Sequence, residues 1–330
     1  MPPASESIWK RRGRKALFWL IILQMIGVVA FIAAILVAEE TRPSFIALYA
    51  PRQPLIAVAA LALVLTPLTQ RRVKVLAAAQ LVLCLVVLFP VMGLHLGWSR
   101  TPEEKVIRIA SYNVYFGKMN RPVLMEELAA IVRDVDILLI QAPHESMPAK
   151  LRERFADRRV EHFEDFVIIS RLPIRELIKP KPIAEDVRAM YAGYVVEAEA
   201  GPLTVYNVHP FSPRHGLFSD EMDTNIDNRE KQIDGAVEAA KANGAPYVII
   251  GDTNLPPLSG IGRRRLTGLT DAFEQVGFGF GYTFPAKRPW MRIDRAFGSE
   301  GIRFLDFHVG PLGESDHRPI FVSFEVTKAR

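Results

Sequence analysis

The hydrophobic positions of this chain follow two regimes that meet near residue 100. Before it, apolar residues run on without periodic interruption: Ala16 to Ala38 is 23 residues with no charge, and Val75 to Gly97 is another 23. As helices rising about 1.5 Å per residue, both runs are long enough to cross a hydrocarbon layer about 30 Å thick. The second ends at Trp98, a residue type enriched where spans meet lipid headgroups. The first exceeds the roughly 7–15-residue apolar core of a secretory leader, and Glu39-Glu40 follow it with no small-residue cleavage pattern. Between the two, Pro54–Thr69 is apolar but short. Extending it backward brings Arg52 toward the membrane at roughly 2.5–3.5 kcal/mol unless the side chain reaches the interface. The pattern predicts a membrane anchor over residues 1–98 with three spans, at about 16–38, 54–69 and 75–97, or two spans around a re-entrant middle segment.

Beyond a linker at 99–105, the pattern over 106–330 changes to short apolar runs rich in β-branched residues, separated by turns. It predicts strands at Val106–Asn113, Asp136–Gln141, Phe166–Ser170, Tyr191–Ala198, Leu203–His209, Tyr247–Gly251, Ile293–Gly298, Ile302–Val309 and Pro319–Val326. Helical spacing appears over Arg121–Arg133 and Asn225–Asn243, the second ending at Asn243-Gly244 with Pro246 beyond. Many strands with few helices in about 230 residues imply one α/β domain, a sandwich of layered sheets with helices outside.

Charge changes this picture in one respect. Residues 1–98 hold ten Lys/Arg against three acidic residues, a net of +7, whereas the remaining 31 basic and 33 acidic residues give −2. The basic character belongs to the anchor, so the second domain has no general attraction for polyanions. Dense positive charge at Lys10–Lys15 and at Arg71, Arg72 and Lys74, beside a neutral Glu39–Arg52 loop, predicts a cytoplasmic N-terminus. With an odd number of spans, residues 99–330 then lie outside the cytoplasm; a re-entrant middle segment would instead leave them inside. Cys84 is the sole cysteine, which excludes an intramolecular disulfide and a Cys-based zinc site.

Polar residues then single out the strand ends. Asn113, His209, Asp252 and Asp294 fall at or near them, and Asp316-His317 precede the last strand. Taken singly each has an ordinary reading, as a turn residue or a satisfied structural histidine. Taken in order, Ser111-Tyr112-Asn113, Asn207-Val208-His209, Gly251-Asp252-Thr253-Asn254, Arg292-Ile293-Asp294 and Ser315-Asp316-His317-Arg318-Pro319 resemble the motifs of the endonuclease/exonuclease/phosphatase superfamily. The resemblance runs from about Val106 to Val326 and is nearest to membrane-anchored bacterial members. It implies a four-layer α/β sandwich, two mixed sheets flanked by helices, that hydrolyses phosphate esters with Mg²⁺ or Mn²⁺. It also implies a bacterial inner membrane, in which a domain placed outside the cytoplasm by the charge pattern is periplasmic.

The resemblance assigns roles that the chemistry makes intelligible. Hard divalent ions take oxygen ligands, and a phosphoester's charge must be neutralised before water attacks in line. Asn113 and Asp316 are the implied metal contacts, and His209 a donor to a non-bridging phosphate oxygen. Asp252 and Asn254 orient water and phosphate, while His317, fixed by Asp294, accepts the water's proton. Whether aspartate or histidine is the base stays open. The family pattern places its main metal glutamate directly after Gln141, where this chain has Ala142. A turn at Ala142-Pro143-His144-Glu145 offers Glu145 as a replacement ligand, and a solvated Glu145 with a weakened metal site is the equal alternative.

Further candidates are weaker. Arg229, one turn after Asn225, is placed to face phosphate or to form a surface ion pair. The loop Pro210–Thr224, with Phe211, Leu217 and Phe218, suits substrate recognition or lipid contact. Arg263-Arg264-Arg265 reads as a solvated charge run, and Phe278, Phe280, Tyr282, Phe284 and Trp290 read as core. The expected partners are the lipid bilayer and a phosphate ester, whether nucleic acid, phospholipid headgroup or small molecule. The competing class is a non-catalytic scaffold that keeps the fold without the metal.

Overall fold

A computed structural model describes residues 8–69, 73–115, 121–180, 182–183, 187–244 and 246–327. The chain divides into two compact units, Met1–Leu94 and His95–Arg330. The first is helical: α1 (Ile8–Val37), α2 (Arg42–Tyr49), α3 (Gln53–Leu65) and α4 (Val73–Val86). Two helices are long and apolar enough to cross a membrane, Ile8–Glu40 and Val73–Val91. The middle segment differs from a simple third span: α3 continues as a 3₁₀ turn over Thr66–Thr69 and meets α2 at a bend of 81°. Only if that bent pair counts as one span are there three.

Local chemistry explains the break. Thr41 caps α2, accepting a hydrogen bond from Ser44 N, and proline near the start of α2 and of α3 removes donors that have no helical acceptor. Arg52, at the corner, is buried, and its guanidinium donates to the carbonyls of Leu48 and Val91. The cost foreseen for Arg52 is thus offset by hydrogen bonds inside the unit. Gln80 donates to Gln24 at 2.7 Å, a polar pair in otherwise apolar helices. Arg71 and Arg72, used in the charge-based topology, lie outside the described residues.

The second unit contains β1 (His95–Leu96), β2 (Ile107–Asn113), α5 (Arg121–Asp134), β3 (Ile137–Gln141), α6 (Met147–Arg154), β4 (Arg159–Phe163), β5 (Phe166–Ser170) and β6 (Ile174–Ile178). It continues with β7 (Tyr191–Ala198), β8 (Gly201–Val208), α7 (Arg214–Phe218), α8 (Met222–Asn243), β9 (Tyr247–Asp252), α9 (Gly260–Arg265), β10 (Thr270–Asp271), α10 (Ala272–Val276) and β11 (Phe278–Gly279). The last strands are β12 (Asp294–Gly298), β13 (Ile302–Val309) and β14 (Ile320–Val326). Residues 99–105 fall inside this unit and are tied to it: Arg100 N donates to Leu305 O, and the amides of Glu103 and Glu104 both donate to Glu325.

Two six-stranded mixed sheets form, in the orders β10-β12-β9-β8-β7-β6 and β13-β14-β2-β3-β5-β4. Their facing sides share a core that includes Ile107, Ile109, Ile137, Leu139, Val205, Val248 and Ile250. Alternate residues, Ala110, Tyr112, Leu138 and Ile140, pack outward with Leu124, Leu128 and Leu151 of α5 and α6. On the other sheet Tyr206, Val208 and Ile249 do the same with Ile233 and Val237 of α8. Central strands covered on both faces read as unbroken apolar runs, which explains the sequences of β3 and β9. The arrangement is the α/β sandwich expected from the sequence.

Register brings the polar strand ends together. Strands β8 and β9 are parallel and pair Val208 with Gly251, so His209 and Asp252 emerge at one end. Strand β12 is antiparallel to β9 and begins there, with Asp294 opposite Asp252. In the other sheet β2 and β3 run parallel, Asn113 opposite Gln141, while β14 enters antiparallel with Ile320 opposite Ser111. Close approach of β8 and β9 requires Gly251: at φ 153° an added Cβ would stand 2.1 Å from Val208 O. Gly251→Ala is therefore expected to lower stability by about 3 kcal/mol, read as a lower denaturant midpoint. An unchanged midpoint would contradict this reading of the register.

Candidate active site

The sequence-predicted residues converge on a small buried constellation at the joined strand ends. Asn113 Nδ2 donates to Asp252 Oδ2 at 2.9 Å, bridging the two sheets. Asp294 Oδ2 accepts from His317 Nδ1 at 2.9 Å, leaving His317 Nε2 3.6 Å from Asp252 Oδ2. His209 Nε2 lies at the same 3.6 Å from that oxygen and 3.4 Å from Asn113 Nδ2. Asn254, in the left-handed region at φ 51°, donates its backbone N–H to Asp252 Oδ1 and its side chain to Pro210 O. Asparagine tolerates that conformation well.

The segment carrying His317 is pinned from several directions. Ser315 Oγ donates to Asn113 O at 2.6 Å and accepts from His317 N, while Glu314 N donates to Glu127. The ring of Phe284 packs on the imidazole, with centroids 4.7 Å apart. Beneath the site, Gln141 donates to Ser111 and to Asn207, and Asn207 donates to Ile140 O. Sequence reasoning missed the structural roles of Gln141 and Phe284. Gln141 was detectable as a polar residue closing an otherwise apolar strand.

Electrostatics separates the two histidines. Burial lowers the His209 pKa against the pull of Asp252, so this imidazole is neutral near pH 7. For His317 burial acts in the same sense but is outweighed by the Asp294 and Asp252 carboxylates, and its pKa is pushed up to about 9. Burial raises the Asp294 carboxyl, opposed by His317. The Asp294–His317 pair therefore holds its proton on the imidazole, between two carboxylates.

Other candidates are placed differently. Arg229 is fully buried in α8, and its guanidinium donates to Asn254 O at 2.6 Å, beside the constellation. That bond ties α8 to the Asn254 turn. Glu145 is exposed in the turn before α6 and is absent from the acid–histidine cluster found among the described residues. Ala142 is buried at φ 50°, its N–H donating to Asp165 O. Arg264 and Arg265 pair with Glu230, fastening α9 to α8. The aromatics read as core are not so: Phe278 is 74% exposed, and Phe280, Tyr282, Phe284 and Trp290 are half-buried.

The donors suit a hard divalent cation. Asp252, Asp294 and His317 offer atoms within 4.8 Å of one another, and Asp316 Oδ1, 4.0 Å from His317 Nε2, is buried without a hydrogen-bond partner. Carboxylate and amide oxygens match Mg²⁺ or Mn²⁺ chemistry.

The sequence over residues 110–317 matches the profile of the Endonuclease/Exonuclease/phosphatase family. The chain belongs to this family. The match extends from β2 to His317 and so contains every member of the constellation. Solved structures share the family fold. An endonuclease/exonuclease/phosphatase from Beutenbergia cavernae aligns with TM-score 0.52 and 18% identity over 68% of this chain and 73% of its own. TDP2 from D. rerio, complexed with single strand DNA product, aligns with TM-score 0.55 and 17% identity over 68% and 100%. A mannosyl-6-phosphatase from Bacteroides thetaiotaomicron aligns with TM-score 0.51 and 16% identity over 66% and 99%. No curated protein matches the chain.

Proposed function

We propose that this family member is a membrane-tethered, metal-dependent phosphoric-ester hydrolase. The observation that carries the reading is the buried sequence Asp294–His317–Asp252, with Asn113 joining it across the sheets. An inert scaffold has no physical need for three carboxylates and two histidines gathered at one pole, since burying charge is costly.

Asp252 and Asn254 orient the attacking water and the phosphate, and His209, neutral by burial, donates a hydrogen bond to a non-bridging oxygen. His317 exchanges a proton at Nε2, while Asp294 fixes its orientation through Nδ1. Asn113, Asp252 and Asp316 would hold Mg²⁺ or Mn²⁺. The ion, when bound, supplies Lewis-acid neutralisation of phosphate charge. Hydrolysis of p-nitrophenyl phosphate and bis(p-nitrophenyl) phosphate by the full chain in ¹⁸O-water tests this. Label in the phosphate product supports attack at phosphorus, and no metal-dependent release of p-nitrophenol from either ester counts against the proposal.

Ala142 favours a second reading, a non-catalytic scaffold, because no carboxylate stands at the family's usual glutamate position. The exposed placement of Glu145 bears on the rescue directly. Glu145→Ala is expected to leave Mn²⁺ affinity within about twofold, measured by titration calorimetry. A tenfold loss would reinstate Glu145 as a ligand.

The substrate class follows from charge. The slightly acidic domain disfavours tight binding of duplex DNA, leaving single-strand ends, phospholipid headgroups or small phosphate esters. The anchor's charge distribution supports a cytoplasmic N-terminus, and with the bent pair counted as a third span the hydrolase domain lies outside, at the bacterial inner membrane that the resemblance implies. Protease added to intact spheroplasts is expected to cut that domain, and full protection while an exported control is cut would reverse the topology.

A further inference from the structure

The constellation is rich in carboxylates, yet its candidate substrate is an anion, so cations near its rim matter. Arg229 is committed beneath Asn254, Arg188 pairs with Glu164 and Asp165, and Arg318 donates to Ala286 O. Arg214, on α7 just beyond His209, differs. It is exposed, and among the described residues its guanidinium meets no carboxylate. Its described side-chain neighbour is the ring of Phe284, 5.5 Å from guanidinium carbon to ring centroid. That same ring packs on His317 at 4.7 Å. The guanidinium thus stands within about 10 Å of the His317 imidazole, against an aromatic ring and with no described carboxylate taking its N–H fork.

We infer that Arg214 binds a second phosphate of the substrate, next to the ester being hydrolysed, and so selects bisphosphorylated esters. This rests on the hydrolase reading. Arg214 has no described bond to Asn113, His209, Asp252, Asn254 or His317, so it does not belong to the group holding the reacting phosphate. It lies about one aromatic ring away, a separation that a second phosphate two carbons further along a sugar or polyol can span. A guanidinium offers paired donors matched to two phosphate oxygens. The Phe284 ring limits its swing, which makes the preference one of spacing as well as charge. The shared chemistry, two phosphates on a short polyol, occurs in nucleotide ends and in phosphorylated lipid headgroups.

The test is calorimetric binding to the full chain with Mg²⁺, using two pairs of probes: thymidine 5′-monophosphate against thymidine 3′,5′-bisphosphate, and glycerol 1-phosphate against glycerol 1,3-bisphosphate. In at least one pair the bisphosphate binds at least tenfold more tightly, and the pair with the larger preference identifies the source. Arg214→Gln removes that preference with little change for the monophosphate, and Arg214→Lys keeps part of it. Because Arg214 is exposed, neither variant disturbs the core. No preference in either pair, a preference surviving Arg214→Gln, or equal loss for mono- and bisphosphate overturns the inference. Turnover of p-nitrophenyl esters by the same wild-type sample separates the two claims: turnover without preference sinks the role of Arg214 alone, and preference without turnover sinks the hydrolase reading.

Discussion

Asp252→Asn is expected to lower metal-dependent turnover by about 10³-fold, equivalent to about 4 kcal/mol of transition-state stabilisation. The substitution keeps the shape of the side chain but only one acceptor oxygen, so either Asn113 Nδ2 or Asn254 N loses its partner. What disappears is the negative charge that faces both histidines and would help hold the metal. His317→Gln should cause a loss of similar size, and the double variant should lose little more, because the groups act as a unit. Steady-state kinetics on protein that still unfolds in one cooperative thermal transition checks this. Near-full activity in Asp252→Asn would remove Asp252 from the chemistry.

Asp271→Ala is expected to cost about 3–5 kcal/mol of stability without touching the active residues. Asp271 Oδ1 accepts from Phe273 N and Glu274 N, capping α10, while Oδ2 accepts from Arg295 Nη2 at 2.7 Å. Arg295 is nearly buried, so truncating Asp271 strands a guanidinium in the domain. Burial alone would raise the Asp271 pKa, but the Arg295 and Arg292 charges outweigh it and leave the carboxyl below its ordinary value. A depressed folded-state pKa means the stabilisation is fully present above the unfolded value near 4, and is lost as pH falls through the folded value. Urea unfolding at pH 7 should show the deficit, and it should shrink toward pH 3. Equal midpoints for the two proteins at pH 7 would show that the pair contributes nothing.

The fold was legible because its central strands are covered on both sides. Runs such as Ile137–Gln141 and Tyr247–Asp252 are buried along their whole length, as strands covered on both faces require. Strands β4 and β6 escaped notice because they are edges, written Arg-Val-Glu-His-Phe and Ile-Arg-Glu-Leu-Ile with charged residues toward solvent. The bend between α2 and α3 was hidden for another reason. Hydropathy registers length and composition, whereas the corner depends on how Arg52 finds two carbonyls, one of them distant in sequence.

At the site, sequence order pointed to Asn113, His209, Asp252, Asn254, Asp294 and His317, and the strand register brings them into one constellation. For Arg229 helical spacing gave its turn of α8 but not its full burial or its bond to Asn254 O. Phe284 and Arg214 carry no local signal, because Phe284 touches Arg214 of α7 and His317 ahead of β14, segments far apart in the chain.

The most direct measurement is turnover by the full chain in detergent, titrated with Mn²⁺ and then with chelator, for wild type and Asp252→Asn together. The account predicts hydrolysis that saturates with Mn²⁺, vanishes with chelator and is lost in the variant. Hydrolysis that ignores the chelator or survives Asp252→Asn would contradict it.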